Sequence, residues 1–145
     1  MKEQLITTVT WGQHHSLDSL YGSQISIHSN GAVLFVNQLM PSGTVIQQWY
    51  SSTDFQSTRA TPTLPFLYPK SSYKLDVQMT SIPDKTCLFD VLFFGRVNQL
   101  IGKHILHNVD DIFLYPDEAY YYTIRMINAG CDEFTFNSFS IMKVN

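Results

Sequence analysis

Trp49 and Tyr50 are the residues of this sequence best suited to binding chemistry. They follow the apolar residues Val45 and Ile46 and lead into the polar sequence Ser51–Thr53. An aromatic ring offers a sugar an apolar face, and neighbouring polar side chains bond the sugar hydroxyls. We therefore predict a carbohydrate-stacking site at Trp49 and Tyr50. A competing interpretation places Trp49 in the hydrophobic core, where large aromatic side chains are usually buried.

Two further segments carry polar side chains that suit such a site. Asp76 and Gln78 share one face of a predicted strand with Lys74, whereas Tyr121 and Arg125 share one face of another. If these strands adjoin, their polar faces line one sugar-binding groove. An ordinary solvated sheet face explains the same alternation, so both interpretations stay open.

The sequence carries no constellation of catalytic residues. Ser71–Lys74 matches the pattern S-x-x-K, but the companion sequences S-D-N and K-T-G are absent. The acidic pairs Asp117–Glu118 and Asp132–Glu133 lie at predicted turns, where solubility explains them. There is also no G-x-S-x-G, phosphate-binding loop or dinucleotide fingerprint. We therefore expect a protein that is not an enzyme.

The five histidines do not form a metal site in the sequence. His14 and His15 are adjacent and would point apart on a strand, and His104 and His107 lack the helical context of a ligand pair. Asp110–Asp111 is the candidate for a structural calcium ion, but one carboxylate doublet is far short of the six or more oxygens that calcium takes. We expect no metal and no cofactor.

Composition excludes several classes of partner. The net charge is −3 and the nine basic residues are scattered singly, so neither nucleic acid nor an anionic membrane surface is an expected partner. Only 14% of residues are charged, against roughly 25% in an average soluble domain, while 44% are apolar. This balance favours a chain whose surface is partly covered by a protein partner.

The N-terminal sequence and the cysteines indicate the compartment. Residues 1–11 have no apolar h-region, and the longest apolar run, Cys87–Phe94, is broken by Asp90 and is too short to span a bilayer. Cys87 and Cys131 are the two cysteines. We expect free thiols in a cytoplasmic protein, and the alternative is a disulfide between them.

Alternation of apolar and polar residues predicts short strands along the whole chain. The clearest case begins at Tyr73, and another begins at Tyr120 with Tyr122 on the same apolar face, which would leave Tyr121 as a prominent exposed ring for a ligand or protein partner. Ser29–Gly31 is the clearest hairpin turn. We predict an all-β protein, with residues 1–145 forming a single β-sandwich or jelly-roll domain.

Three segments depart from simple alternation. Ala32–Val36 and Leu88–Phe94 are apolar on both faces, as in strands that a further partner covers. In Phe134–Val144 the apolar positions change phase, and a β-bulge near Asn137–Ser138 would restore one continuous apolar face.

Several short segments, in their order and spacing, resemble one known family. They span most of the chain from Tyr21 to Phe136: Tyr21–Ser23, Asn37–Gly43 with Trp49, Pro62–Leu67, the strand from Tyr73, Phe94–Arg96, Tyr115–Pro116 and Tyr122–Gly130. The chain resembles the third of the accessory secretory proteins, the Asp-three family of the accessory Sec system in Gram-positive bacteria. Residues 1–20 and the loop around Asp54–Ala60 carry no part of this pattern.

The resemblance implies a β-sandwich like that of carbohydrate-binding modules. It implies a cytoplasmic complex with two other accessory secretory proteins, peripheral to the membrane through its partners. That complex helps deliver a glycosylated, serine-rich repeat adhesin to a dedicated Sec motor ATPase and channel. The implied role is assembly together with carbohydrate binding. A purely structural adaptor that binds no sugar fits the residues equally well.

Overall fold

Strands make up most of the computed structural model, which describes residues 3–11, 24–27, 32–36, 41–51, 64–84, 86–106 and 111–144. None of these residues is helical, which confirms the all-β class. The strands are β1 (Glu3–Val9), β2 (Gln24–Ile27), β3 (Val33–Val36), β4 (Val45–Tyr50), β5 (Ser72–Ile82), β6 (Cys87–Phe94), β7 (Leu100–Leu106), β8 (Ile112–Leu114), β9 (Tyr121–Asn128) and β10 (Glu133–Val144).

The strands form two antiparallel sheets. The larger sheet has the order β2-β3-β10-β5-β8, with β1 also paired to β10, and the smaller sheet has the order β4-β9-β6-β7. Because β4, β6, β7 and β9 alternate along the chain with strands of the larger sheet, the backbone crosses repeatedly between the two layers. The predicted sandwich is therefore confirmed.

Strand β10 organises the larger sheet. One of its edges pairs with β5 along its whole length, while the other pairs with β3 near Glu133–Phe136 and with β1 near Phe139–Val144. The register of β10 against β5 shifts between Phe136 and Ser138. This is the predicted β-bulge, and it leaves Phe134, Phe136, Phe139 and Ile141 all buried.

The inner faces of both sheets meet in one aromatic-rich core. Trp11, Trp49, Phe136 and Phe139 lie at its centre, with the Trp49 ring 4.9 Å from the Phe139 ring and 5.7 Å from the Phe136 ring. Such contacts stabilise beyond the area that they remove from water. The described strands share this core, and the assignment of residues 1–145 to one domain stays a prediction.

The predicted turns have mixed outcomes. Pro41–Gly43 forms a turn in which Thr44 donates its backbone N–H to the Pro41 oxygen at 3.3 Å and Gly43 has a φ of 94°, a conformation that favours glycine. The hairpin predicted at Ser29–Gly31 lies outside the described residues. The prediction that Tyr120 faces the core with Tyr122 is wrong, because β9 begins one residue later and Tyr120 is 58% exposed.

Candidate functional site

The structure places Trp49 in the core rather than at a sugar-binding surface. Its side chain is 2% exposed, and its indole Nε1 donates a hydrogen bond to the Thr10 carbonyl oxygen at 2.9 Å. A ring covered in this way presents no face to a sugar. The interpretation of Trp49 as a core residue is confirmed. The prediction that its ring stacks on a sugar is wrong.

Asp76 and Gln78 lie on the outer face of the larger sheet. Both are exposed, and Gln78 Nε2 donates to Asp76 Oδ1 at 3.2 Å. Arg125, by contrast, belongs to β9 in the smaller sheet. The two polar faces point away from each other across the core, so the prediction of one shared groove is wrong. The alternation in the sequence gave the phase of each strand but not the sheet to which it belongs.

The outer face of the smaller sheet brings three of the predicted residues together. Tyr50 on β4 is opposite Thr123 on β9, and Tyr121 and Arg125 project from the same side of β9. The hydroxyl of Tyr50 donates to Gln48 Oε1 at 3.4 Å, and partial burial raises the pKa of that hydroxyl. These three side chains remain candidates for binding.

An ion pair with a buried carboxylate lies at the centre of this outer face. Arg125 donates from Nε to Asp90 Oδ1 at 2.9 Å and from Nη2 to Oδ2 at 2.6 Å, a bidentate pairing. Asp90 is 0% exposed, although it projects from the outward side of β6. The hydrogen bonds to Asp90 raise the pKa of the Arg125 guanidinium. Lys103 on the neighbouring strand β7 places Nζ 3.9 Å from Asp90 Oδ2.

Sequence reasoning missed this pair. It treated Asp90 as an interruption of an apolar run and Arg125 as a sugar ligand. The signal was a single carboxylate within an otherwise apolar strand. If that carboxylate is buried, it needs a cation as its partner. Finding that cation requires the register, which sets Asp90 directly opposite Arg125.

At one end of the smaller sheet, tyrosines and polar side chains form a second cluster, the β6–β7 corner, which comprises Arg96, Asn98, Tyr120 and Tyr121. The Tyr121 hydroxyl donates to Asn98 Oδ1 at 2.9 Å, and its ring stacks on Phe94 with the centroids 4.9 Å apart. Arg96 donates from Nε to the Tyr120 hydroxyl at 2.8 Å, and its guanidinium carbon lies 5.2 Å from the centre of the same ring. The corner therefore combines two tyrosine rings, fixed by hydrogen bonds and ring contacts, with amide and guanidinium groups that can bond hydroxyls.

Another pair of exposed rings lies on the segment before β5. Phe66 and Tyr68 are 74% and 61% exposed, with an edge-to-face separation of 5.2 Å. The buried residues Leu64 and Leu67 alternate with them and fix the segment to the core. Sequence reasoning described this stretch only as a proline-stiffened apolar segment.

The described residues hold two free thiols and no metal cluster. Cys87 and Cys131 are both free, as expected. A hydrogen bond from Cys87 lowers the pKa of the Cys131 thiol to about 6, and the same contact, together with burial, raises that of Cys87. Within the described ranges no three His, Cys, Asp or Glu side chains gather to ligate a metal, and the expectation of no cofactor stays a prediction.

Several residues considered for metal binding lie outside the described ranges: His14, His15, His107 and Asp110. His104 is described, and its ring lies 6.4 Å from the Phe113 ring. No helix in the part of the chain that the structure describes has the length and hydropathy of a membrane span.

Solved structures of two accessory complexes contain chains with this fold. The crystal structure of accessory secretory proteins 1, 2 and 3 of Streptococcus pneumoniae includes a chain with a TM-score of 0.88 and 30% identity, covering 95% of this chain and 96% of that one. The Glycosylation Associate Protein (Gap123) complex of Streptococcus agalactiae gives a TM-score of 0.85 at 31% identity, over 100% of this chain and 46% of that one.

A more distant structure shares the fold alone. It is a Clostridium thermocellum endo-1,4-β-D-xylanase with CBM22-1 and GH10 modules, solved with xylohexaose. The TM-score is 0.57 at 12% identity, over 98% of this chain and 29% of that one. The expected likeness to the fold of carbohydrate-binding modules is confirmed at this level.

Sequence comparison gives the family. An accessory Sec system protein of the Asp-three type from Streptococcus gordonii is 34% identical over 153 residues, which cover 99% of this chain and 96% of the relative. The family model described as Accessory Sec secretory system ASP3 matches residues 18–143. The chain therefore belongs to the accessory Sec system Asp-three family.

Proposed function

We propose that this protein is a non-catalytic component of a cytoplasmic accessory secretion complex. It binds two other accessory secretory proteins and contacts sugar on a glycosylated, serine-rich repeat adhesin that the complex delivers to a Sec motor ATPase. The observation that carries the assembly half is the match, over nearly the whole chain, to a chain in a structure of accessory secretory proteins 1, 2 and 3.

The β6–β7 corner supports the carbohydrate half of the proposal. Tyr120 offers an exposed ring that Arg96 holds by a hydrogen bond and a cation–π contact. Asn98 and Tyr121 supply an amide and a hydroxyl whose positions are fixed by their mutual hydrogen bond. A sugar would stack on the Tyr120 ring while the guanidinium and amide groups bond its hydroxyls.

Calorimetric titration tests the carbohydrate half of the proposal. The full chain, alone and in complex with its partners, is titrated with N-acetylglucosamine and with a glycosylated Ser-rich peptide. We expect Tyr120→Ala and Arg96→Ala to weaken binding about tenfold, equivalent to about 1.4 kcal/mol. Phe66→Ala is the matched control, since it removes an exposed ring at another site and should leave the affinity unchanged. Equal affinity of all variants would exclude the β6–β7 corner, and no binding by either form of the protein would exclude the lectin role.

A purely structural adaptor is the second candidate. Exposed large apolar side chains such as Val97, Leu100 and Leu114 favour it, because they suit contact with partner subunits. Assembly of the three proteins without any measurable glycan affinity would support the adaptor.

A further inference from the structure

The outer face of the smaller sheet has an apolar rim that a solvated sheet face normally lacks. We call the following seven residues the Asp90 face: Leu88, Asp90, Leu92, Lys103, Ile105, Arg125 and Ile127. The four apolar members come from β6, β7 and β9 and surround the ion pair. An antiparallel sheet usually alternates between an apolar inner face and a polar outer face. Strand β6 breaks this rule, since its outward positions are apolar except for Asp90.

The other sheet of the same molecule provides an internal comparison. The outward residues of β5 from Ser72 to Thr80 are polar, and Ile82 at its end is the apolar exception. Strand β10 pairs with β5 along its length, whereas β8 pairs only with Ser72–Lys74. The outer face of the larger sheet is thus polar along most of β5, unlike the outer face of β6.

The carboxylate at the centre of the Asp90 face is removed from water, while the Arg125 side chain that pairs with it is 22% exposed. The two oxygens of Asp90 accept the bidentate hydrogen bonds from Arg125. Removing a charge from water costs several kcal/mol, so a covered carboxylate on an outward face is unusual for a solvent-facing sheet. Apolar side chains around a partly exposed arginine are typical of protein interfaces, where arginine is enriched.

Among the described residues, the charged side chains of the Asp90 face do not balance. One carboxylate, Asp90, faces two cations, Arg125 and Lys103. The Lys103 side chain is 45% exposed, and its 3.9 Å separation from Asp90 is too long for a good hydrogen bond. Its ammonium group can therefore pair with a further carboxylate. A second copy of this chain would bring the same positive excess to the contact, so a different, acidic partner fits better.

We infer that the Asp90 face docks a partner accessory secretory protein that presents apolar side chains around one carboxylate, with that carboxylate pairing with Lys103. This inference rests on the proposed function, in which the chain assembles with two such partners. The β6–β7 corner lies at the end of the same sheet, beyond Leu92 and Phe94.

Co-expression of the full chain with the two partner accessory secretory proteins tests the inference. The variants are Ile105→Asp, which places a charge at an exposed apolar position, and Lys103→Met, which removes the cation and keeps the length of the side chain. We expect each to weaken the affinity for the partners at least about tenfold, with the effect of Lys103→Met shrinking at high salt. The matched controls, Ile82→Asp and Lys70→Met, alter exposed residues away from the Asp90 face and should bind like the wild type.

The outcomes separate the inference from the proposed function. If the wild type fails to assemble with the partners, both are wrong. If the wild type assembles and both Asp90-face variants bind within twofold of it, with melting temperatures showing that all are folded, only the docking inference is wrong. Self-association of the isolated chain that Ile105→Asp abolishes would also overturn it, because the occupant would then be a second copy. Loss of glycan affinity alone in these variants would identify a sugar as the occupant and overturn it equally.

Discussion

Asp90 and Arg125 are directly opposite each other on neighbouring strands, and the guanidinium holds both oxygens of a carboxylate that no solvent reaches. Removing one partner of such a pair leaves a buried charge without compensation, whereas replacing both with apolar residues is often close to neutral. The pair thus couples β6 to β9 at the centre of the smaller sheet. It is also the part of the protein whose energetics mutation can test most directly.

Replacement of the cation alone should therefore be costly. We predict that Arg125→Met lowers the free energy of unfolding by about 3–5 kcal/mol, because Asp90 stays buried and loses its bidentate donor. The double variant Asp90→Leu with Arg125→Met should be clearly more stable than Arg125→Met alone. Urea denaturation of the wild type, both single variants and the double variant measures the coupling. A loss below about 1 kcal/mol for Arg125→Met would contradict the covered geometry.

Truncation of Trp49 should destabilise the fold directly. Its indole packs against Phe136 and Phe139 and donates to the Thr10 carbonyl, so Trp49→Ala leaves a cavity and an acceptor without its donor. We expect a loss of about 3–5 kcal/mol. The control Phe66→Ala removes an exposed ring and should stay within about 0.5 kcal/mol of the wild type. Chemical denaturation distinguishes these outcomes, and a stable Trp49→Ala variant would disprove the core assignment.

The β-bulge in β10 can be tested by removing one residue. Deletion of Asn137 removes the extra residue and joins Phe136 to Ser138, so plain alternation keeps Phe139 and Ile141 on the inner face in their present register. Deletion of Ser140, beyond the bulge, would instead turn Ile141 toward the outer face, because a shift of one residue exchanges the two faces of a strand. We predict that the Asn137 deletion unfolds cooperatively and that the Ser140 deletion does not. Near-ultraviolet circular dichroism and thermal melts provide the comparison, and loss of cooperative unfolding on deletion of Asn137 would refute its assignment as the extra residue of the bulge.

The thiol of Cys131 should make stability depend on pH. Its pKa in the folded protein is lowered to about 6, first by the hydrogen bond with Cys87, from an ordinary value of 9.0. Between these values the folded state binds fewer protons than the unfolded state, so this contribution to stability grows as the pH rises and is lost as the pH falls through 6. The difference in melting temperature between the wild type and Cys131→Ser should therefore increase from pH 6 to pH 9. A constant difference across that range would show that the two thiols are not coupled in this way.

The sequence was sufficient for features that depend on the pattern of a single strand. Alternation indicated the strand from Tyr73, and the change of phase between Phe136 and Phe139 indicated the bulge that the register of β10 against β5 confirms. The apolar character of both faces of Leu88–Phe94 was also visible. These features follow from the two-residue repeat of a strand, which is local information.

Features that depend on which strands pair were out of reach. Apolar and polar residues alternate around Asp76 and around Arg125 in the same way. The two residues nevertheless lie on opposite outer faces, because strand order is fixed by long-range packing. The partner of Asp90 and the contact between Arg96 and Tyr120 likewise join residues far apart in the chain. For Tyr120, alternation was extended one residue past the true start of β9.

The position of β10 within the larger sheet has a consequence for synthesis on the ribosome. This strand follows the other described strands in chain order, yet β1, β3 and β5 each pair with it. A nascent polypeptide that has not yet emerged past Glu133 therefore exposes three strands with open edges, which are hazards for aggregation. We expect the larger sheet to close only after this segment emerges, so ribosome stalling before it would leave open strand edges.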